Sequence, residues 1–364
     1  MQKRILIILA IFIALFFGKL LSDGGIFWDD QRSIDVKGDR MTLYNKLKKV
    51  VLRGNTIISR DDLKILSDKT QVWQKEQKFE GYGNVSAEKK FESGDIAQSF
   101  SRKIFYNEKS EENKIIELDG LDYLDYFSKK DDKTLNVLAD YIKIEEKKGL
   151  RSADLKKVIS LTLPFEERKD DGRILTGTTT IKADLIKAIE KVDDANYAEI
   201  FGNIAVKREY ANGEYFFILA EECEYIDDKA KFQGVEKLEI FNLEENTIYY
   251  LYCDQLTWDL KGQTGMAIGA PLRFEKNDKN YLVTANIAYF NKAKQEVFFT
   301  ENPIARQNDE QGVGIYQARD ILYYLDTKIM KMLGDVDIDF LPNKKVESEQ
   351  ELEQEDNKEI AQSS

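Results

Sequence analysis

The chain has 364 residues, 42% hydrophobic and 11% aromatic, enough for a substantial core in two ordinary domains or one elongated stack. Its formal net charge of −12 excludes a basic face for nucleic acid, and 4 Pro are too few for a Pro-rich linker protein. With no His it cannot run Ser-His-Asp or Cys-His catalysis or ligate zinc through imidazole, and two cysteines, Cys223 and Cys253, are too few for a cysteine metal cluster.

The N-terminus reads MQKR, then an unbroken apolar run from Ile5 to Gly18. With Lys19 snorkelling, Leu20 and Leu21 extend the run to 17 positions, the lower limit of a membrane span. Lys3 and Arg4 precede it, so residues 1–21 read as a cytoplasmic stub and a single-pass anchor, with the rest of the chain across the membrane. A cleaved signal peptide is the rival reading, although FFGKLLSDG offers no small-x-small cleavage site. Residues 22–40, with Gly24, Gly25 and Gly38, form a polar tether.

From residue 41 onward the chain reads as all-β. In 41–121, Gly54-Asn55 and Gly83-Asn84 each sit between alternating runs, and the same mark returns at Gly202-Asn203. Gly and Asn both tolerate positive φ, so these are expected to be tight turns, with weaker equivalents at Gly234-Val235, Gly269-Ala270 and Gly334-Asp335. Residues 122–170 are dense in charge and read as irregular or inserted. Either a short helix spans 152–159, or Ala153-Asp154 opens one more repeat. Residues 171–340 are rich in β-branched and aromatic residues, as in NTIYYLYCDQLTW and KNYLVTANIAYF, and predict strands. Residues 341–364 are acidic, lack aromatics after Leu341 and read as a disordered tail.

One spelling recurs through these elements: apolar, x, small, often acidic, x, apolar, x, apolar or aromatic. It fits Leu251, Cys253, Asp254, Leu256, Trp258, and Ile218, Ala220, Glu221, Cys223, Tyr225. It also fits Val283, Ala285, Asn286, Ala288, Phe290; Tyr316, Ala318, Arg319, Ile321, Tyr323; and Ile181, Ala183, Asp184, Ile186, Ala188. Val137, Ala139, Asp140, Ile142, Ile144 and a weaker copy at Ile65, Ser67, Asp68, Thr70, Val72 extend it upstream. From Ala183 the small positions fall 37, 33, 32 and 33 residues apart, the signature of one supersecondary unit stacked many times. A strict strand would turn the small residue and the apolar residue three later to opposite faces. A bulge after the small residue returns both to one face and leaves the acid pointing outward or capping the bulge.

Stacked copies would then share a continuous apolar seam lined by these same residues, which are the candidate lipid-groove positions. The seam reads either as the closed core of a sandwich or solenoid, or as a groove with room for an apolar guest. Gln98, Asn286 and Arg319 break the acidic series, so no metal column is assigned, and no carboxylate pair marks a catalytic cleft. No catalytic residue, metal or cofactor is expected. In the repeat frame the two cysteines are diagonal neighbours, ~7–8 Å apart, beyond the usual disulfide span, so free buried thiols are expected.

The phrases VVLRGNTIISRDDLKILSDKTQVW and FEGYGNVSAE, and further on IKADLIKAI with IFGNIAV and AEECEYID with FQGVEKLEI, resemble the OstA-like (LptA/LptC) lipopolysaccharide-transport family over most of 41–340. The anchor resembles the LptC branch, whereas the repeat count is nearer the soluble LptA branch or larger. The resemblance implies a twisted open β-jellyroll and no enzymatic activity. It implies an inner-membrane protein with its bulk in the periplasm, where it carries lipopolysaccharide or a similar lipid toward the outer membrane. It further implies edge-to-edge pairing with other jellyroll transport proteins. The alternative is an anchored structural or protein-interaction β-solenoid with a filled core.

Overall fold

The computed structural model describes residues 35–342 apart from 61, 91–93, 111–112, 130–131, 148–149, 169–173, 192–196, 227–228, 243–245, 260–263, 279, 292–293 and 310. These residues form one antiparallel sheet of 24 strands, with a single 3-10 turn at Asn45–Leu47. The first third of the sheet holds β1 (Asp35–Lys37), β2 (Arg40–Tyr44), β3 (Lys49–Arg60), β4 (Leu63–Trp73), β5 (Lys78–Lys90), β6 (Ile96–Ser110), β7 (Asn113–Ser128) and β8 (Lys133–Lys147). The middle holds β9 (Leu150–Arg168), β10 (Ile174–Lys191), β11 (Tyr197–Tyr210), β12 (Tyr215–Ile226), β13 (Lys229–Gln233), β14 (Lys237–Asn242), β15 (Thr247–Tyr252) and β16 (Gln255–Asp259). The last third holds β17 (Thr264–Lys276), β18 (Tyr281–Asn291), β19 (Glu296–Thr300), β20 (Ile304–Asn308), β21 (Gly312–Gln317), β22 (Asp320–Tyr324), β23 (Met330–Leu333) and β24 (Asp337–Pro342).

The pairing is simpler than the strand count. β12 pairs with β13 through its second half and with β14 through its first; β13 then pairs with β16, and β14 with β15. β13 and β14 are therefore one crossing of the sheet, broken at Gly234, as β15 and β16 are one crossing broken at Cys253-Asp254. Eighteen kinked crossings follow one another up and down, and six of them are split at the kink, which gives the 24 strands. Before the kink a crossing lies in one layer; after it, in a second layer that folds over the first. Aromatic contacts show the two layers facing each other: Phe274, in one layer, lies 5.6 Å from Phe299 and 6.4 Å from Tyr323 in the other.

The kinks alternate in chemistry. One crossing carries a small residue followed by a polar one; the next bends through a left-handed conformation, except that β17 bends at Gly269, Ala270 and Pro271 with no residue at positive φ. Asp184 on β10 faces Gly202-Asn203 on β11, where φ is 71° and 48°. A Cβ at Gly202 would run into the Asp184 carboxylate, and Asn203 Nδ2 donates to Asp184 Oδ2 at 2.8 Å. The same clasp joins Asp68 to Gly83-Asn84, with Asn84 Nδ2 donating at 3.0 Å, and Asp39 to Gly54-Asn55, at 3.2 Å. At β8 and β9 a variant appears, in which Lys157, at φ 49°, forms an ion pair with Asp140 at 2.9 Å.

These kinks correct three expectations. The Gly-Asn marks are not end turns but lie inside β3, β5 and β11. The positive φ that would close a hairpin here bends a continuing strand. The described residues of 122–170 are not irregular and hold no helix at 152–159. β7, β8 and β9 run through them, and Ala153 pairs with Ala188 rather than matching Ala183. Their dense charge lies on the outward face, while Leu135, Val137, Ala139, Ile142 and Ile144 point inward. Strand pairing also starts inside the stretch read as a tether, since β1 begins at Asp35.

The expected parity change does occur. Along β12, Ile218 and Ala220 are buried, Glu221 and Glu222 are exposed, and Cys223 and Tyr225 are buried again. The register with β11 shifts at the same place, between Phe201 and Ile204. Among the described residues no helix is long and apolar enough to cross a membrane, and the apolar run at 1–21 lies outside them. Most of the acidic tail lies outside them as well.

Candidate functional site: the interior between the layers

The candidate seam positions come together. Ile181, Ala183, Ile186, Ile218, Ala220, Cys223, Tyr225, Leu251, Cys253, Leu256, Val283, Ala285, Ala288, Phe290, Ile321 and Tyr323 all belong to one buried hydrophobic cluster. Trp258, Tyr316 and Ala318 are partly buried and pack against it. The cluster continues into the first half of the chain through Ile65, Phe79, Ile104 and Ile144, so a single interior runs from β3 to β22.

Its filling is not uniform. Toward the C-terminal end, aromatic rings close the space between layers. Tyr281 stacks on Tyr323 across the interior at 4.8 Å, and Tyr281 Oη donates to Met330 Sδ at 3.3 Å. Phe274 is 1% exposed and stacks on Tyr249 at 5.6 Å besides its two contacts across the layers. Burial pushes the Tyr281 hydroxyl well above its usual range. In its own layer Trp258 reaches over Gly265 toward Phe290, 6.5 Å away, and a Cβ on Gly265 would stand 2.5 Å from the indole.

The N-terminal half instead keeps a cavity of about 60 Å³ between the layers. Leu63, Ile65, Ala97 and Leu124 face it from one layer, and Phe79, Ile104, Ile116 and Ile144 from the other. Small polar groups share this half of the interior. Thr56, Ser67 and Thr70 form a closed buried hydroxyl cluster with O–O distances of 2.6, 2.7 and 2.8 Å. At one rim Lys89, 3% exposed, is held by Asp62 at 2.5 Å. The cavity has room for a water but is far below the ~300–1,000 Å³ of an ordinary ligand pocket. A bulky guest could enter only if the layers separate.

None of the candidate positions, Ile181 to Tyr323, lines this cavity. The missed residues follow the same inward alternation, and Ile65 and Ile144 stand in copies of the repeat. The signal that could have found them is the set of small inward residues in this half, Ala97, Ser99 and Ser67.

Both cysteines are free and buried. Burial, with added repulsion from Glu224 and Asp254 respectively, pushes the Cys223 and Cys253 thiols up to about 12. They serve as small apolar fillers, not nucleophiles. Among the described residues no group of three or more Cys, Asp or Glu side chains is placed to hold a metal.

Residues 35–150, about a third of the chain, match the family model described as LptA/(LptD N-terminal domain) LPS transport protein. No curated protein matches the chain. The matched segment contains all of the cavity lining and extends over 122–150, part of the stretch whose sequence reads as irregular or inserted. Residues 35–150, which lie within the one antiparallel sheet, are thus similar to an OstA-like lipopolysaccharide-transport domain.

Proposed function

We propose that the chain is an inner-membrane-anchored periplasmic carrier or bridge that shields the acyl chains of lipopolysaccharide, or a similar lipid, inside an open β-jellyroll. The observation that carries this reading is the apolar, incompletely filled interior of the domain matched to the transport family. Burying an acyl chain of about a dozen CH₂ groups is worth on the order of 10 kcal/mol gross, at ~0.8 kcal/mol per CH₂. Such a gain is large enough to separate layers held together chiefly by apolar contact, and the transfer needs no chemistry. The localisation rests on Lys3 and Arg4 and the apolar run after them.

The terminal crossings support a bridging role. Among the described residues, β1 and β2 pair only with β3, and β23 and β24 only with β22 and β21. Met41, Leu43 and Leu47 at one end, and Ile338, Phe340 and Leu341 at the other, are each more than half exposed. Unpaired strand edges with apolar side chains are suited to strand addition by another jellyroll.

A photo-crosslinking residue placed at Phe79, Ile104, Trp258 or Phe290 of the full chain in cells tests the reading. Lipid adducts are expected at Phe79 and Ile104. Absence of lipid adducts from all four inward positions would sink it. The second reading, a filled solenoid that binds protein partners, is favoured by the aromatic packing around Phe274 and Tyr323. It would gain if every adduct were protein.

A further inference from the structure

The outer face of the sheet carries a separate concavity of about 430 Å³, lined from β13, β16, β17, β18 and β19. The register arranges its lining as two rows. Thr257, Met266, Tyr289 and Phe298 are successive cross-strand partners and form one row. Lys229, Asp259, Thr264, Asn291 and Glu296 are successive partners one step nearer the strand ends and form the other. Tyr289 is 43% exposed, and its ring lies 6.4 Å from that of Phe298. Asn291 Oδ1 accepts the Lys294 backbone N–H at 3.1 Å, which orients the amide.

We propose that this outer concavity is a saccharide-binding site. Its volume falls within the usual ligand-pocket range of ~300–1,000 Å³. A sugar ring has an apolar C–H face and an equatorial rim of hydroxyls. Here the aromatic and thioether row supplies a surface for the first, and the row of acid, amide, hydroxyl and ammonium groups supplies donors and acceptors for the second. At ~4.8 Å between strands, the rows span about 14 Å from β16 to β19, which suits a short oligosaccharide better than one sugar. A protein partner is the poorer fit, because the second row carries an ammonium and two carboxylates beside an amide and a hydroxyl, whereas the desolvated centre of a protein interface is depleted of charge. Gly265 and Phe290 also border the concavity, so it adjoins the interior at Phe290, but the two rows that carry the proposal face outward and include none of the cavity-lining residues.

The test is titration of the full chain with maltotriose and with a trimer of N-acetylglucosamine, followed by calorimetry. Saturable binding of at least one is expected. Tyr289→Ala is expected to weaken it about tenfold, while Tyr289→Phe retains it. Glu296→Gln should weaken it without changing the fold seen by circular dichroism. No saturable binding of either trimer at 10-fold above ~1 mM, or binding indifferent to both Tyr289→Ala and Glu296→Gln, would overturn the assignment. Lipid crosslinking at Phe79 is unaffected by either result, so the two readings fail separately.

Discussion

The two halves of the interior are built from the same alternation and finished differently. Around Phe79 and Ile104, aliphatic and small residues together with the rings of Phe79 and Tyr106 line a cavity that remains between the layers. Around Phe274 and Tyr323, rings from both layers meet and close it. The same kinked crossing can therefore hold its layers slightly apart or together. A loosely filled interior can admit a guest at modest cost, whereas each ring contact in the other half must be broken first.

Phe274→Ala should give the largest effect, about 3–5 kcal/mol, because it removes a buried ring with three aromatic neighbours. Hydrogen exchange, read on β17 and on β5 separately, should show the loss confined to the C-terminal half. Equal loss in β5 would mean that the halves are not distinct. Ala288→Leu should cost about 1–3 kcal/mol by overpacking, since Ala288 is fully buried in the closed half. Ala97→Leu, aimed at the cavity, should cost little or stabilise; denaturant midpoints that rank the pair the other way would break the comparison.

Gly202→Ala should cost about 1–3 kcal/mol, partly from positive φ and partly from collision with Asp184. Adding Asp184→Ala should return the collision share alone, and a double-mutant cycle measures it. The smallest effect concerns the thiols. Cys223 and Cys253 should resist alkylation at pH 8 until the chain is unfolded. Their pKa is raised by folding from 9.0 to about 12, so their contribution to stability is full below pH 9 and is lost as pH rises toward 12. Rapid labelling of the folded chain at pH 8 would contradict the closed packing around them.

Much of this was legible in the sequence. The repeated step from Ala220 to Cys223, or from Cys253 to Leu256, requires a change of parity, and burial follows it residue by residue. The Gly-Asn marks misled because a left-handed residue pair closes a hairpin and kinks a strand equally well; only the cross-strand partner, Asp68 or Asp184, distinguishes the two. The 122–170 region looked irregular because charges crowd its outward face beside the exposed Leu138 and Ile159, which blurs the alternation that turns Leu135, Val137 and Ile144 inward. The cavity was not legible at all. It is a volume left over between Ile65 on one strand and Ile144 on another four strands away, and no single stretch of sequence contains it.

The clasp between a kink acid and the glycine of the next crossing also sets how the chain can grow. Because the two kinds of crossing alternate, the smallest length that can be added or lost without mismatch is a pair. Removing residues 183–219 would join Lys182 to Ala220, place Glu221 where Asp184 stood, and leave Gly234 to meet it, as Gly234 already does. Such a chain is expected to fold one pair shorter, and a deletion that removes a single crossing is not; the circular dichroism and thermal melting of the two would show the difference. The sheet therefore has a discrete length, counted in steps of two.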